Sequence, residues 1–172
     1  EFVAATGVTP TLAAVLVGVF PAAALALGRL GLPESESAGP DLDAVRALIG
    51  RLNNDNVAMV RREAVNSLLG LGVPQDDAVY RDLRAALTKV VRDSEAKTAR
   101  DVDHTLVIWS RVALIRTEPK FPVSPTDPNL VAIGKQLGST DLALKSEALQ
   151  AIGVLGNEAK SRVTEVIAIA TD

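Results

Sequence analysis

Cysteine is absent from this chain of 172 residues, and aromatic residues make up only 3% of it. Without cysteine there is neither a disulfide framework nor a cysteine-based metal site. The single histidine, His104, also excludes the usual zinc spacings, which need further histidine or cysteine ligands. Because large rings are scarce, the core must be built from Ala, Val, Leu and Ile, and such a core favours closely stacked helices.

Positive charge is not in excess either, since 18 basic and 21 acidic residues give a net charge of −3. This balance argues against a broad nucleic-acid groove, so no nucleic-acid partner is expected. The length is sufficient for one sizeable core. The absence of cysteine fits the cytoplasm and the periplasm equally well, and we expect a soluble protein in one of the two.

The chain does contain one ten-residue phrase in three copies. The copies are AAALALGRLG at 22–31, EAVNSLLGLG at 63–72 and EALQAIGVLG at 147–156. Their final glycines are separated by 41 and 84 residues, and the second gap is twice 42. A period near 42, with one degenerate copy inside the second gap and ending near residue 114, predicts a helical solenoid.

Each copy has the pattern expected of the second helix in a two-helix repeat. Two small residues three positions apart are followed by two larger apolar residues, which places all four at i, i+3, i+4 and i+7 on one helix face. In the second copy these residues are Ala64, Ser67, Leu68 and Leu71. The closing glycine suits a left-handed C-terminal cap, where a Cβ atom would be strained.

Three segments resemble the repeats of a known family. They are DNVAMVRREA at 55–64, DLALKSEA at 141–148 and GNEAKSRV at 156–163. They are similar to HEAT repeats, and most of all to the short bacterial HEAT-like type first described in phycobilisome lyases. The resemblance implies a single all-α domain over 1–172, a right-handed α-solenoid of about four helical pairs. The approximate repeats are 9–31, 41–72, 77–116 and 129–156, with 158–171 starting a further one.

Caps and apolar spacing predict the individual helices. The expected helices run from Asp41 to about Leu52, Val57 to Leu71, Asp77 to about Arg92, Glu95 to Arg116, Asn129 to Leu137, Leu142 to Leu155 and Glu158 to Thr171. The four prolines of the segment 117–128 predict an extended loop. Within this loop, Lys120, Phe121 and Pro122 are interpreted as an apolar anchor, and a partner contact is the alternative.

The N-terminal stretch from Val8 to Gly28 carries no charge and is long enough to span a bilayer. It is interrupted by prolines, however, and its second half is the first copy of the repeated phrase. We therefore favour a buried repeat helix with an early-turn Pro10 and a break at Pro21, and a membrane segment is the alternative. The absence of an initiating methionine suggests a processed or excised piece of a longer protein.

Two residues of the degenerate copy have chemistry of interest. His104 lies near Asp101 and Asp103, an arrangement found in general bases and metal ligands. The aspartates converge poorly on one helix face, so a solvated face is the favoured interpretation, and no catalytic residue, metal or cofactor is expected. Trp109 is interpreted as replacing the small residue of the motif, and a binding hot spot is the alternative.

We predict a non-catalytic scaffold that binds a protein or peptide on the concave face formed by the second helices. The expected partner-binding residues are Arg62, Asn66, Arg100, His104, Trp109, Arg111 and Gln150. The alternatives are a HEAT-like enzyme of the lyase or DNA glycosylase kind, and a membrane-tethered accessory subunit, which is not favoured. Apolar residues on the last helix, such as Val163 and Ile167, further predict self-association through uncapped ends.

Overall fold

The structure is a computed structural model, and it describes residues 21–26, 28, 29, 32, 39–98, 101–118 and 123–171. Over these ranges the chain is all-α, with seven α-helices, one 3-10 helix and no strand. Contacts divide the chain into an N-terminal part, Glu1–Pro74, and a C-terminal part, Gln75–Asp172. The helix expected around residues 11–19 lies outside the described residues.

The helices follow one another with short connections. In chain order they are α1 (Leu42–Asn54), α2 (Ala58–Leu71), α3 (Asp77–Glu95), α4 (His104–Arg116), α5 (Pro128–Gln136), α6 (Leu142–Leu155), a 3-10 helix (Gly156–Arg162) and α7 (Val163–Thr171). A further helical segment at residues 21–26, 28 and 29 precedes α1. None of the helices in the described ranges combines the length and the apolar character that crossing a membrane requires.

Aspartates start most of these helices. The carboxylate of Asp41 accepts hydrogen bonds of 2.9 Å from the backbone N–H groups of Asp43 and Ala44 at the start of α1. Asp76, Asp103, Asp127 and Asp141 cap α3, α4, α5 and α6 in the same way. The predicted starts of α1, α5 and α6 are therefore confirmed to within a residue, and α6 has both predicted ends.

The N-terminal part packs α2 against α1 and against the helical segment at residues 21–29. Ser67 of α2 donates a hydrogen bond of 3.1 Å to the backbone carbonyl of Ala24. A Cβ atom at Gly28 would lie 2.5 Å from the Cβ atom of Ser67, which no real contact tolerates. In the second copy the predicted small residues Ala64 and Ser67 are buried, as their spacing predicts. In the first copy the prediction is wrong: Ala23 and Ala26 are exposed, and the close packing is made at Ala24 and Gly28 instead.

Two predicted helices are wrong. Residues Gly156–Arg162 form a 3-10 helix, so the helix expected to begin at Glu158 begins only at Val163. The chain does not run as a single helix from Glu95 to Arg116, because α3 ends at Glu95 and α4 begins only at His104. The reason is a cap that the prediction did not weigh: the side chain of Asp103 accepts a hydrogen bond of 3.1 Å from the backbone N–H of Leu106. Residues 96–98 and 101–103 lie between the two helices.

Helices α3 and α4 are antiparallel. The Tyr80 hydroxyl, in the first turn of α3, donates a hydrogen bond of 2.9 Å to the carbonyl of Thr117 at the end of α4. At the other end of α3, Glu95 accepts a hydrogen bond of 3.1 Å from Arg111, nearer to the start of α4. The two helices therefore form a hairpin-like pair.

Helices α4 and α6 run parallel. The indole N–H of Trp109 donates a hydrogen bond of 2.9 Å to the carboxylate of Glu147, a residue 38 positions later. Two turns further along, the guanidinium of Arg116 donates to the carbonyl of Val154, again 38 positions later. Equal separations in the same order require parallel helices in a register of 38 residues.

This register places the degenerate copy of the phrase later in the chain than the spacing of the glycines predicts. Four of its buried residues, Ser110, Ala113, Leu114 and Thr117, precede the stripe Ala148, Ala151, Ile152 and Leu155 by the same 38 residues. Ile108, Val112 and Ile115 are buried as well, on the other side of α4. The arithmetic of the sequence had placed this copy four residues earlier, with Trp109 as its small residue. Ser110, with 0% exposure, occupies the small position instead, and Trp109 is half-buried beside it.

The helices of the phrase end in two different ways. Gly72 after α2 and Gly156 after α6 have φ values of 83° and 56°, and no other described residue has a positive φ. The predicted positive φ is therefore confirmed at these two glycines, but their ψ values of −162° and −119° differ from those of a left-handed α cap. Gly31, which closes the first copy, lies outside the described residues. Helix α4 has no such glycine, and Thr117 follows it with φ −90°.

The last elements are held by Arg162. Its guanidinium donates a hydrogen bond of 3.3 Å to the carbonyl of Pro125, and its side chain lies across Gly134, where a Cβ atom would be 3.2 Å from Nε. Helix α7 follows, with Val163 and Ile167 49% and 57% exposed. Self-association through these residues stays a prediction.

Candidate functional site

Four of the predicted binding residues lie in the C-terminal part. They are His104, Trp109 and Arg111 on α4 and Gln150 on α6. Arg62 and Asn66 lie on α2 in the N-terminal part, half-buried and exposed respectively. Arg100 falls outside the described residues, as do Lys120, Phe121 and Pro122 of the proline-rich loop.

Trp109 connects helix α4 to helix α6. Its indole N–H is committed to the carboxylate of Glu147, and the side chain is only half-buried. On α6 the next exposed position is Gln150, whose amide donates a hydrogen bond of 3.3 Å to the hydroxyl of Ser146. An indole ring and three polar side chains, Glu147, Gln150 and Ser146, therefore share the outer face of α4 and α6.

Arg111 is not the exposed cation that the sequence suggests. Its side chain is 13% exposed. One guanidinium nitrogen donates a hydrogen bond of 3.1 Å to Asn129, and the other donates one of 3.1 Å to Glu95. Arg111 thus ties α4 to the end of α3 and to the first turn of α5, and a large part of its charge is compensated within the fold.

His104 lies at the first position of α4 and is exposed. Together with Arg111 it lines a cavity of about 200 Å³ that is open to solvent. The other lining residues are Ser94, Glu95, Val102, Val107, Ile108, Ala132, Gln136 and Leu144. Four helices, α3 to α6, therefore contribute to one concavity at the N-terminal ends of α4 and α6.

Helix α3 carries a cluster of charged side chains in its last two turns. The Lys89 ammonium donates a hydrogen bond of 2.9 Å to Asp93, and this bond lowers the pKa of the Asp93 carboxyl below its usual value. Arg92 lies near the same carboxylate, at 3.5 Å. These groups are exposed, so they order the last turns of α3 and contribute little to stability.

A network that sequence reasoning missed closes the other end of α4. Arg84 donates hydrogen bonds of 3.2 Å to the carbonyl of Leu114 and to the hydroxyl of Thr117, and it pairs with Glu118 at 3.0 Å. Tyr80 donates to the Thr117 carbonyl, and the Arg84 guanidinium lies 5.9 Å from the centre of the Tyr80 ring. The available signal was the i, i+4 spacing of tyrosine and arginine on α3, combined with the missing glycine.

The two aspartates near His104 are engaged in other hydrogen bonds. Asp103 uses its carboxylate to cap α4, and Asp101 accepts a hydrogen bond from Thr98. No group of three or more His, Cys, Asp or Glu side chains suitable for a metal ion occurs in the part of the chain that the structure describes. The arrangement offers hydrogen bonds, an aromatic ring and an apolar concavity, and these are means of binding.

Comparison with protein-family models, with curated proteins and with solved structures gives no significant match to this chain.

Proposed function

We propose that this protein is a HEAT-like, right-handed α-solenoid scaffold that binds a protein or peptide through its second helices. The observation that carries the proposal is the parallel register of α4 and α6, in which two contacts separated by two turns both join residues 38 positions apart. Equivalent helices that stack in parallel at a constant spacing are the defining contact of a helical repeat array.

The burial of the phrase supports the same proposal. Helices α2, α4 and α6 each bury a stripe that begins with two small residues three positions apart. On α2 and α6 residues opposite this stripe are exposed, whereas on α4 Ile108, Val112 and Ile115 are buried there as well. Asn66 on α2 and Gln150 on α6 are both exposed, and they occupy corresponding positions of the phrase.

The C-terminal part offers the more distinctive binding face. Trp109 presents a half-buried ring whose N–H is already satisfied by Glu147, so the ring can contact a partner without leaving a polar atom unpaired. Tryptophan is enriched at the energetically dominant positions of protein interfaces, and nearby polar side chains then supply specificity. We infer that Trp109, Gln150 and Ser146 form the principal contact surface.

Affinity capture with the chain as bait, followed by identification of the bound protein, tests the proposal. We expect Gln150→Arg to weaken capture of the identified partner at least about tenfold, because a large charged side chain enters the contact surface. Its melting temperature should hardly change, since an exposed substitution alters stability by only about 0.5 kcal/mol.

The matched control is Thr88→Arg, at an exposed position of α3, which is the first helix of the pair α3 and α4. Capture should tolerate this change. A partner that is lost with Thr88→Arg and retained with Gln150→Arg would show that the binding surface lies on the first helices, contrary to the proposal.

A further inference from the structure

The cavity at the N-terminal ends of α4 and α6 has an apolar interior and a polar rim. Val107, Ile108, Ala132 and Leu144 contribute to its walls, and Ile108 is buried, whereas His104 on the rim is exposed. Its volume of about 200 Å³ lies below the roughly 300 Å³ at which pockets for small-molecule ligands begin. An occupant must therefore be small and largely apolar.

The charge of the cavity restricts the occupant further. Arg111 and Glu95 are the charged lining residues, and they hydrogen-bond to one another at 3.1 Å. Asn129 also accepts a hydrogen bond from Arg111. Arg111 is 13% exposed and both of its terminal guanidinium nitrogens already have partners, so it offers no unpaired charge to a charged ligand. The cavity therefore suits a neutral group.

Two rim side chains retain hydrogen-bonding capacity. Neither the imidazole of His104 nor the amide of Gln136 is hydrogen-bonded to another side chain among the described residues. An amide both donates and accepts, and a neutral imidazole does the same. Polypeptide main chain offers the complementary C=O and N–H groups on either side of each side chain.

We propose that this cavity receives one aliphatic side chain from an internal segment of a bound peptide, while His104 and Gln136 hydrogen-bond to the main chain of that segment. The inference rests on the proposed function and adds to it a recognition element at the N-terminal ends of α4 and α6, lined by a face of α4 that does not include Trp109. It assigns to the partner a neutral segment that presents a leucine-like side chain.

Three small probes test the inference on the full chain by titration followed by amide chemical shifts. N-acetyl-L-leucinamide should bind saturably in the range of about 1 to 20 mM, as its few atoms allow, and shift the amide resonances of Ala132 and Leu144. N-acetyl-L-leucine, which carries a carboxylate, should bind about tenfold more weakly because of the uncompensated charge. N-acetylglycinamide, without a side chain, should cause no saturable shift.

Variants decide whether the probe occupies this cavity. Ala132→Leu should fill it and abolish binding of N-acetyl-L-leucinamide, whereas Ala143→Leu, at an exposed position of α6 that does not line the cavity, should leave binding unchanged. Gln136→Ala changes the rim without filling the cavity, and it should weaken binding about threefold to tenfold through loss of a hydrogen bond. This variant keeps the test meaningful if Ala132→Leu disturbs folding.

Failure of the inference can be separated from failure of the proposed function. The inference is overturned if N-acetyl-L-leucinamide does not bind, if N-acetylglycinamide binds equally well, or if Gln136→Ala and Ala132→Leu bind it unchanged. It is also overturned if the captured protein partner tolerates Ala132→Leu while Gln150→Arg releases it, an outcome that leaves the proposed function intact. Release of the partner by both variants supports the two together.

Discussion

Helices α6 and α4 run parallel in register, yet of the two only α6 is followed by a glycine at positive φ. After α6 the chain turns through Gly156 at a φ of 56°, and the Val154 carbonyl in the last turn also accepts a hydrogen bond from Arg116 of α4. After α4 the chain keeps a negative φ at Thr117, and the terminal carbonyls of Leu114 and Thr117 accept hydrogen bonds from side chains of α3. Where no glycine cap follows a helix, side chains of the preceding helix can thus donate hydrogen bonds to its terminal carbonyls.

The difference concerns how far the end of each helix depends on its partner helix. A glycine-terminated helix can complete its last turn before its partner helix has docked. Thr117 and Glu118 donate local hydrogen bonds to the carbonyls of the last turn of α4. Tyr80 and Arg84 add hydrogen bonds from α3, so this end of α4 gains stability when α3 is in place. We therefore expect the pair α3 and α4 to behave as one cooperative element.

The equivalence of the two helices is tested most severely at their small buried residues. Replacing Ser110 or Ala148 by leucine should each lower the free energy of unfolding by about 3 kcal/mol, because both positions are fully buried against neighbouring helices and cannot accept the added volume. Chemical denaturation of the two variants measures the effect.

Gln150→Leu, at an exposed position of α6, serves as the control and should change stability by only about 0.5 kcal/mol. If Ala148→Leu is costly while Ser110→Leu is tolerated, the small position of α4 lies elsewhere and the register of 38 residues is wrong.

The dependence of α4 on its neighbour is tested at Arg84. Arg84→Met removes the donor to Leu114 and Thr117 while retaining much of the aliphatic stem, and it should cost about 2 kcal/mol, as loss of hydrogen bonds from a charged group does. Because the Arg84 side chain is partly exposed, water compensates for some of the loss. Thermal and chemical unfolding both report it.

Arg81 provides a matched comparison on the same helix. It is exposed and donates a hydrogen bond to the carbonyl of Asp77 in its own helix, so Arg81→Met should have almost no effect on stability. Equal destabilisation by the two variants would mean that helix propensity or general charge, and not the end of α4, determines the cost.

The smallest effects, with opposite signs, are expected at two glycines of one helix. Gly156→Ala should destabilise the protein by about 1 kcal/mol, because alanine is strained at positive φ. Gly153 lies within α6, and a Cβ atom there would meet nothing within 4 Å. Gly153→Ala should therefore stabilise the protein by about 0.5 to 1 kcal/mol through helix propensity.

Differential scanning calorimetry of both variants measures the two shifts. A Gly156→Ala variant as stable as the parent would indicate that the end of α6 rearranges freely, and the contrast with α4 would then lose its basis.

Much of the all-α architecture could be predicted because its signals are local. The aspartate caps, the phrase with its terminal glycine and the apolar spacing lie within a few residues of one another, and they place α6 correctly at both ends. The start of α4 was missed although its signal was local too: Asp103 stands three residues before Leu106, the spacing of a capping side chain.

The arrangement of the candidate site was less accessible. The ion pair of Arg111 is formed with Glu95, and its second partner is Asn129, so both come from other helices. A charged residue at an i, i+4 position can be assigned from sequence, whereas a charge neutralised across a tertiary contact cannot. The cavity likewise combines four helices, and its volume depends on how they are packed.

Arg116 connects the end of α4 to a later part of the chain. It is the last residue of α4, yet its guanidinium donates to the Val154 carbonyl of α6 and lies 3.4 Å from Glu158 in the segment that follows. The end of α4 is thereby tied to residues about forty positions later in the chain, so it gains stability when α6 and the 3-10 helix are in place.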